Sequence, residues 1–285
     1  MVLSVRKGAP FRICQLTDLH LGEYPLQEND LKTLMGISKV LHENSFDLIM
    51  ITGDLIQGKE NAEPLASLHE LYRVLNEFDI PVAITYGNHD TEGQYNRQYL
   101  RDAEAKLNNL ANKHHSYLVD DRENYTLEIF DSETDRLVNV IYVWDSGDYS
   151  NWSKISKYAA IGRHQINWYA KTSNQPFNKT FDIGFLHIPL AEYLAVNKEQ
   201  VVGSYNEKPC PATINSGLFH ELLVKDKVKA IFAGHDHDNN FASEYFGIQL
   251  NYGNVTGYNA YGKLDRGVLA IDLYNDKVER RIIKF

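Results

Sequence analysis

The 285-residue sequence predicts an α/β protein, because short apolar segments rich in β-formers alternate along the chain with longer segments of helical periodicity. The composition agrees with a folded chain, since 43% of the residues are hydrophobic and 24% are charged. The pattern contains neither repeats nor a recognisable linker. A chain of this length can bury one large core, so we expect residues 1–285 to form a single domain.

The first half of the chain begins with three predicted strands that are separated by two predicted helices. The strands cover residues 11–16, 48–52 and 82–86. Helical spacing is shown by Leu31, Leu34, Met35, Ser38 and Leu41, after a cap at Asn29 or Asp30, and by Leu65, Leu68, Tyr72 and Leu75. A β-α-β-α-β order of this kind is typical of parallel strands joined by crossover helices.

The second half is predicted to mix hairpins with further strands and helices. After Gly93 a polar helix is expected to run to about Ala111. Predicted strands lie around Ser116 and at 125–130, 138–144, 181–186, 228–233, 246–250, 268–273 and 278–283, with helices at 165–171 and 217–224. The strand at 138–144 leads into a polar segment at residues 145–147, which we also expect to lie near a functional site because it follows a strand end.

Five predicted strands end directly before short polar motifs. The motifs contain Asp18 and His20, Gly53 and Asp54, Gly87 with Asn88, His89 and Asp90, then His187, and finally Gly234 with His235 and His237. A single Asp or His in such a place more often caps a helix or bonds within a turn. Five motifs in the same structural position instead predict one ligand site, because α/β proteins bind ligands at the carboxyl ends of strands.

Seven of these side chains have the chemistry of metal ligands. The seven are Asp18, His20, Asp54, Asn88, His187, His235 and His237. Asp18 and His20 are two residues apart, as are His235 and His237, so in an extended segment each pair would point to one side. Carboxylate, imidazole and amide ligands together suit Mn, Fe or Zn. Seven ligands imply two metal ions, and glycines 53, 87 and 234 would allow the loops to approach closely.

The motifs Asp-x-His, Gly-Asp, Gly-Asn-His-Asp, a lone His and Gly-His-x-His resemble those of the calcineurin-like metallophosphoesterases, and they span most of the chain. The resemblance implies a four-layer α-β-β-α sandwich of two mixed sheets flanked by helices. It also implies how the ligands divide. Asp18, His20 and His237 would bind one metal, Asn88, His187 and His235 would bind the other, and Asp54 would bridge both.

The sequence is more similar to one branch of that family, the purple-acid-phosphatase-like branch that includes the fungal dosage-dependent cell-cycle regulator phosphatase. The likeness rests on residues 184–189, 216–219 and 234–238 and on Gly257 with Tyr258. True purple acid phosphatases carry a tyrosine ligand three residues after the bridging aspartate, where this chain has Gln57. The metals therefore stay open as two divalent or trivalent ions of Mn, Fe or Zn.

The expected activity is metal-dependent hydrolysis of phosphoric esters, either monoesters or diesters, with metal-bound hydroxide as the nucleophile. The resemblance implies that His89 assists the leaving oxygen, and Asp90 would orient His89 unless it only caps the next helix. Asn88, His89 and Tyr258 are candidate substrate contacts. Residues 251–261 form either a tyrosine-rich rim of the site or a packed turn, and we favour the rim.

Charge and hydropathy limit the partners. The net charge is −9 and no basic block occurs, which argues against long nucleic acid and so against a nuclease. A phosphorylated small molecule or protein is the expected substrate. Relatives that serve as non-catalytic scaffolds usually lose ligands, and this chain retains all of them. The absence of a long apolar segment predicts a cytoplasmic protein without a membrane partner.

Overall fold

The computed structural model describes residues 1–59, 61–174 and 181–285. The strands are β1 (Leu3–Val5), β2 (Phe11–Leu16), β3 (Leu48–Thr52), β4 (Val82–Thr85), β5 (His114–Val119), β6 (Arg122–Asp131), β7 (Leu137–Val143), β8 (Asp182–Phe185), β9 (Val228–Ala233), β10 (Ala242–Tyr245), β11 (Ile248–Tyr252), β12 (Gly267–Leu273) and β13 (Val278–Lys284). The α-helices are α1 (Glu28–Glu43), α2 (Pro64–Leu75), α3 (Arg97–Ala103), α4 (Arg163–Thr172) and α5 (Leu218–Lys225).

The strands form two mixed sheets. The five-stranded sheet has the order β13-β12-β2-β3-β4, in which β2, β3 and β4 run parallel and β12 runs antiparallel to β2. Seven strands of the eight-stranded sheet follow the order β1-β6-β7-β8-β9-β11-β10. The eighth strand, β5, lies outside this order and pairs with β6. Within it, β7, β8, β9 and β11 are parallel. Both sheets therefore bring the carboxyl ends of several parallel strands to one edge.

The two sheets pack face to face and helices cover their outer faces. Ile13 and Met50 of the smaller sheet share one buried cluster with Phe185 and Phe232 of the larger sheet. Helices α1, α2 and α3 pack on the outer face of the smaller sheet, and α4 and α5 pack on the larger one. Each fully buried apolar side chain of these layers contributes roughly 1.5–3 kcal/mol. The predicted sandwich of two mixed sheets between helices is confirmed.

Strand alternation explains why these layers form. In β3, Leu48 and Met50 face the other sheet, while Ile49 and Ile51 face the helices, so both faces of the strand are apolar. A continuous run of apolar residues with this burial is typical of a central strand. The same reasoning identified β2 and β4 correctly from sequence, with β4 ending one residue earlier than expected.

The expected helix after Gly93 is shorter than the sequence suggested. Helix α3 ends at Ala103 and a 3-10 turn ends at Lys106, because the next residues pair with the edge of β4. Asn109 accepts a backbone hydrogen bond from Val82, and Ala111 donates one back to Val82. Strands β1 and β10 were not predicted, since three or four residues give too short a pattern to read.

Helix α1 forms as predicted, but its buried face is rotated. Leu31 and Met35 are 50% and 71% exposed, while Leu34, Ile37 and Leu41 are buried. The cap also differs from the expected Asn29 or Asp30. Helix α1 begins after Gln27, whose backbone amide donates to Asp30 at 2.9 Å. None of the described helices is long and apolar enough to cross a membrane.

Candidate metal centre

The five polar motifs meet at the common edge of the two sheets. They follow β2, β3 and β4 of one sheet and β8 and β9 of the other. Backbone hydrogen bonds tie the loops together, from Asp18 to the carbonyl of Gly53 at 3.1 Å and from Gly234 to the carbonyl of His187 at 3.0 Å. Side chains that are up to 219 positions apart in sequence (237 minus 18) thus line one buried cluster.

Neighbouring donor atoms of the cluster lie close enough for one cation to contact both of them. Asp54 Oδ2 lies 3.1 Å from His187 Nε2 and 3.7 Å from His20 Nε2. On the other side, His237 Nε2 lies 3.3 Å from Asp18 Oδ1 and 3.2 Å from His20 Nε2. These atoms form two groups that share Asp54. One group has Asp18, His20, Asp54 and His237, and the other has Asp54, His187 and His235.

Unsatisfied buried atoms show that this cluster fits metal ions. Among the described residues, Asp54 Oδ2, both polar side-chain atoms of Asn88, His187 Nε2 and His237 Nδ1 are buried without a hydrogen-bond partner. Leaving a buried polar atom unpaired costs about 1–3 kcal/mol, so several together indicate a missing partner. Oxygen and imidazole nitrogen in this mixture are good donors for Mn, Fe or Zn.

Two histidines of the cluster are oriented by neighbouring acceptors. His187 Nδ1 lies 2.9 Å from the carbonyl oxygen of Thr52, and His20 Nδ1 lies 3.0 Å from Gln57 Oε1. A carbonyl oxygen can only accept, so each Nδ1 carries a proton and each Nε2 is directed at the cluster. Gln57, which replaces the purple-phosphatase tyrosine, therefore has a role in holding His20.

Glycine is required at two of the loop turns. A Cβ atom on Gly87 would lie 2.2 Å from Asp54 Oδ1, and a Cβ atom on Gly53 would lie 2.5 Å from the ring of His187. Gly53 also has a φ of +89°, which strongly favours glycine. The close approach of loops that the glycines predicted is therefore observed at both positions.

The prediction that each pair, Asp18 with His20 and His235 with His237, lies in an extended segment is wrong. Asp18 and His20 do not lie in an extended segment, because their φ angles are +55° and +49°, in the left-handed region. Asp54 and His235 share that region at +51° and +80°. Such residues cost on the order of 1–3 kcal/mol each and gather at functional sites. The loops are therefore strained to direct these four side chains at one place.

Electrostatic coupling keeps both carboxylates ionised in the metal-free protein. Burial would raise the pKa of Asp18, but the charge and hydrogen bond of His237 outweigh it and lower that pKa to about 2. Burial also opposes ionisation of Asp54, yet His187 and then His20 hold its pKa well below the ordinary value. Negative charge is thus available for cations at physiological pH.

The four histidines of the cluster differ in protonation. Burial lowers the pKa of His20 to about 4 and that of His235, with a smaller effect of His187, to about 3. Burial opposes protonation of His187 as well, but the charge of Asp54 outweighs it and raises the pKa to about 10. The pKa of His237 is raised for the same kind of reason, through Asp18. Two imidazoles are therefore neutral, whereas the neighbouring carboxylates favour a proton on the other two.

His89 lies beside the cluster. A group that acts on a leaving oxygen has to occupy such a position. The ring centroid of His89 lies 5.0 Å from that of His20, and its side chain is 31% exposed. Its backbone amide donates to Asp54 Oδ1 at 2.8 Å, which fixes the position of the residue. Catalysis by His89 stays a prediction, and its placement agrees with that role.

Asp90 does not contact the imidazole of His89, contrary to our expectation. Its two carboxylate oxygens accept four backbone hydrogen bonds, from Asp54, Leu55, Ile56 and Gly87 at 2.7–3.1 Å. Burial, and then the charge of Asp54, raises its pKa to about 6. Asp90 therefore holds the loop that carries Asp54 against the loop that carries Asn88.

Glu92 occupies the position that was expected of Asp90. Its Oε2 lies 2.7 Å from His89 Nδ1, and its Oε1 accepts a hydrogen bond from the hydroxyl of Tyr149. Sequence reasoning missed Glu92, although a glutamate three residues after a histidine in a helical turn is a known signal for contact. Tyr149 could not be found in this way, because it is 57 residues away.

The tyrosine-rich segment 251–261 contacts the cluster through a residue other than the predicted one. Tyr261 stacks on His237 at 4.0 Å between ring centroids. Tyr258 is 37% exposed, and its ring lies 6.3 Å from that of Phe285. Its backbone amide donates to Thr33. A substrate contact by Tyr258 stays a prediction, whereas Tyr261 forms part of the wall of the site.

The segment after β7 also reaches the site. Asp145 accepts a hydrogen bond from Arg97 at 2.7 Å, and Ser146 accepts one from the backbone amide of Ile188, next to His187.

Asp236 was left out of the predicted ligand set. Its carboxylate accepts hydrogen bonds from the Tyr252 hydroxyl at 2.5 Å and from the Cys210 amide at 3.0 Å. These contacts support the backbone around the ligands.

The two mixed sheets and the cluster of possible metal ligands at their shared edge define the class, a metallophosphoesterase. Residues 11–239 match the calcineurin-like phosphoesterase family, and the chain belongs to that family. The resemblance predicted from the motifs is confirmed, including its purple-acid-phosphatase-like character.

Several known proteins are similar to this chain. Probable inactive purple acid phosphatase 29 of Arabidopsis thaliana is 32% identical over 89% of this chain and 73% of its own length. Phosphatase DCR2 of Saccharomyces cerevisiae is 30% identical over 81% of this chain and 44% of its own length. A dimetal phosphatase from Danio rerio has a similar fold, with a TM-score of 0.69 and 12% identity over 96% of both chains.

Proposed function

We propose that this protein hydrolyses phosphoric esters, monoesters or diesters, with two metal ions of Mn, Fe or Zn. Asp18, His20 and His237 would hold one ion and Asn88, His187 and His235 the other, with Asp54 between them. The substrate would be a phosphorylated small molecule or protein. Membership of the calcineurin-like phosphoesterase family supports the reaction class.

The shared position of Asp54 is the observation that carries this proposal. Its Oδ2 is buried, has no hydrogen-bond partner, and lies 3.1 Å and 3.7 Å from the Nε2 atoms of His187 and His20. A carboxylate oxygen between two sets of imidazole donors is the arrangement that a bridged pair of cations requires. A hydrogen-bonding role alone would not explain why both polar side-chain atoms of Asn88 are also buried without a partner.

Bound metals would supply positive charge for the phosphate and would lower the pKa of a water molecule towards neutrality. The chain supplies the geometry around them. His89 Nδ1 faces Glu92, so Nε2 is the nitrogen left to face the leaving oxygen, and it can donate a proton there when the ring is protonated on both nitrogens. Asn88 is 1% exposed with a free amide, and it can serve as a metal ligand and contact a phosphoryl oxygen.

A non-catalytic metal-binding scaffold is the second candidate, because three relatives from Arabidopsis thaliana are named as probable inactive purple acid phosphatases. Retention of His89 and of all seven ligands in this chain favours catalysis. A nuclease is disfavoured by the net charge of −9, since binding along a nucleic acid backbone needs clustered Lys and Arg.

A substrate panel tests the proposal. The full chain is loaded with Mn²⁺, Fe²⁺ or Zn²⁺ and assayed on aryl and alkyl phosphomonoesters and phosphodiesters, with Asp54→Asn as the matched variant. We expect turnover of at least one class with at least one metal, and loss of that turnover in the variant. A chain that binds two metals but hydrolyses none of these esters would favour the scaffold instead.

A further inference from the structure

A cavity of about 810 Å³ lies beside the candidate metal centre. Its wall includes Thr91, two residues after His89, and the aromatic residues Tyr149 and Tyr158. The Tyr158 ring meets the ring of His235 edge-on at 4.5 Å, and the Tyr149 hydroxyl bonds Glu92. The two tyrosines stack on each other at 5.8 Å between centroids. The cavity and the metal centre therefore share a wall.

We propose that this cavity binds the leaving group of the phosphoester, and that the leaving group is an uncharged small molecule carrying a planar ring. The inference rests on the proposed function and specifies its substrate class. Pockets that bind small organic ligands have volumes of roughly 300–1,000 Å³, and this cavity falls within that range. It is larger than a methyl or glycerol group needs.

Aromatic side chains give the cavity its preference for a ring. Tyr95, Tyr149, Trp152 and Tyr158 all line it. Trp152 is 64% exposed and Tyr149 is 41% exposed, so both keep a face free for contact. A large aromatic side chain left in water at the wall of a cavity is typical of a binding surface, because stacking on a planar ligand removes apolar area from water.

The charges around the cavity argue for an uncharged leaving group. The described lining carries three arginines and three aspartates, namely Arg97, Arg122, Arg163, Asp120, Asp121 and Asp148. Most of them are paired, since Arg97 lies 3.0 Å from Asp148 and Arg122 lies 3.7 Å from Asp120. A second phosphate or a nucleic acid strand would need several unpaired basic groups here, and among the described lining residues Arg163 is the one arginine without an ion pair.

The position of His89 connects the cavity to the chemistry. One side of its ring faces the ligand His20, and its Nδ1 side faces Glu92, which is anchored to Tyr149 on the cavity wall. A phosphoester whose phosphate lies at the metals and whose ring lies against Trp152 would pass its leaving oxygen close to His89. The same wall would thus position the ring and the proton donor.

Two substrates with the same kind of leaving oxygen test the proposal. Adenosine 5′-monophosphate and glycerol 3-phosphate both release a primary alcohol, so leaving-group acidity is nearly matched, and the leaving groups differ in the planar base and the ribose that carries it. Their methyl diesters replace them if the protein hydrolyses diesters. We expect kcat/KM to favour the ring-bearing ester by at least about tenfold, as stacking on one aromatic residue allows.

Three variants assign that preference to the cavity. Trp152→Ala should reduce the ratio of the two kcat/KM values about tenfold, and Trp152→Phe, which keeps a ring, should retain most of it. The matched control is Phe246→Ala, because Phe246 is 73% exposed on the turn between β10 and β11. A wild-type ratio near one, or an unchanged ratio in Trp152→Ala, would overturn the proposal.

A binding experiment separates this inference from the proposed function. Adenosine, which carries the ring and no phosphate, is titrated into the protein without added metal while tryptophan fluorescence is recorded. We expect a saturable change that is absent in Trp152→Phe, because the other two tryptophans are buried. Saturable adenosine binding without any esterase activity would refute only the reaction, whereas esterase activity without that binding would refute only the cavity.

Discussion

His89 Nδ1 lies 2.7 Å from Glu92 Oε2, and this contact links the residue expected to act on the leaving oxygen to a carboxylate. The glutamate side chain is 15% exposed, and its other oxygen is held by Tyr149. A carboxylate that accepts a hydrogen bond from one nitrogen of an imidazole fixes the orientation and the tautomer of the ring. Glu92 is therefore a positioning residue for His89.

Replacing Glu92 should impair turnover according to the leaving group. Glu92→Gln removes the charge but keeps the size, and we expect kcat for an alkyl phosphate to fall about 10–100-fold. An aryl phosphate, whose leaving oxygen needs less protonation, should lose less. Elemental analysis should find both metals retained, and the surface change Glu70→Gln serves as control. Equal losses for both esters would show that Glu92 has only a structural role.

His89 itself should contribute more than Glu92. We expect His89→Ala to retain both metals and to reduce turnover of an aryl phosphate by on the order of 10²–10⁴. His220 on helix α5 is exposed, so His220→Ala provides a histidine control with wild-type turnover. Steady-state kinetics on metal-loaded protein measure the effect. Wild-type turnover in His89→Ala would contradict the assigned role.

Substitution of Asp54 and substitution of Asp18 should differ in how many bound metal ions are lost. Asp54 belongs to both groups of donors, whereas Asp18 belongs to one. We therefore expect Asp54→Asn to lower the metal content at both positions and Asp18→Asn to lower it mainly at one. Elemental analysis after gel filtration gives the metal-to-protein ratio. Two full metals in Asp54→Asn would refute the bridge.

The members of the buried cluster could be predicted because each follows a strand that is visible in the sequence. Asp54 follows β3, and His187 follows β8, so the rule that sites lie at carboxyl ends of strands was sufficient. Glu92 and Tyr149 were missed because the contact between them depends on how two loops from different parts of the chain pack. Left-handed backbone at Asp18 was also invisible, since no residue type there requires it.

Arg97 should stabilise the fold more than an ordinary surface ion pair does. Its side chain is 4% exposed and bonds Asp145, which is 2% exposed, at 2.7 Å. It also donates to the carbonyl of Gly87, beside Asn88. Burial disfavours its charge, but Asp145 and Asp148 outweigh burial and raise its pKa further.

Arg97→Met should therefore lower the free energy of unfolding by about 3–5 kcal/mol, because it leaves Asp145 buried without its partner. Urea unfolding monitored by circular dichroism measures the change. Arg73→Met is the control, since Arg73 makes only exposed ion pairs with Glu70 and Glu77 and should cost less than about 1 kcal/mol. Similar losses in both variants would contradict the argument.

Metal loading should release protons, because two ligand histidines hold them in the metal-free protein. Against the effect of burial, Asp54 raises the pKa of His187 to about 10, and Asp18 raises that of His237. At pH 6 both are protonated, whereas His20 and His235, with pKa values of about 4 and about 3, are already neutral. A metal needs the neutral imidazole, so about two protons should leave at this pH.

The sign of the pH dependence follows from this competition. As pH rises towards the raised pKa values of His237 and His187, fewer protons must be displaced and the apparent metal affinity should increase. Calorimetric titration with Mn²⁺ in two buffers of different ionisation enthalpy counts the protons at pH 6. A count near zero, or an affinity that falls as pH rises from 6 to 8, would show that His187 is neutral before the metal arrives.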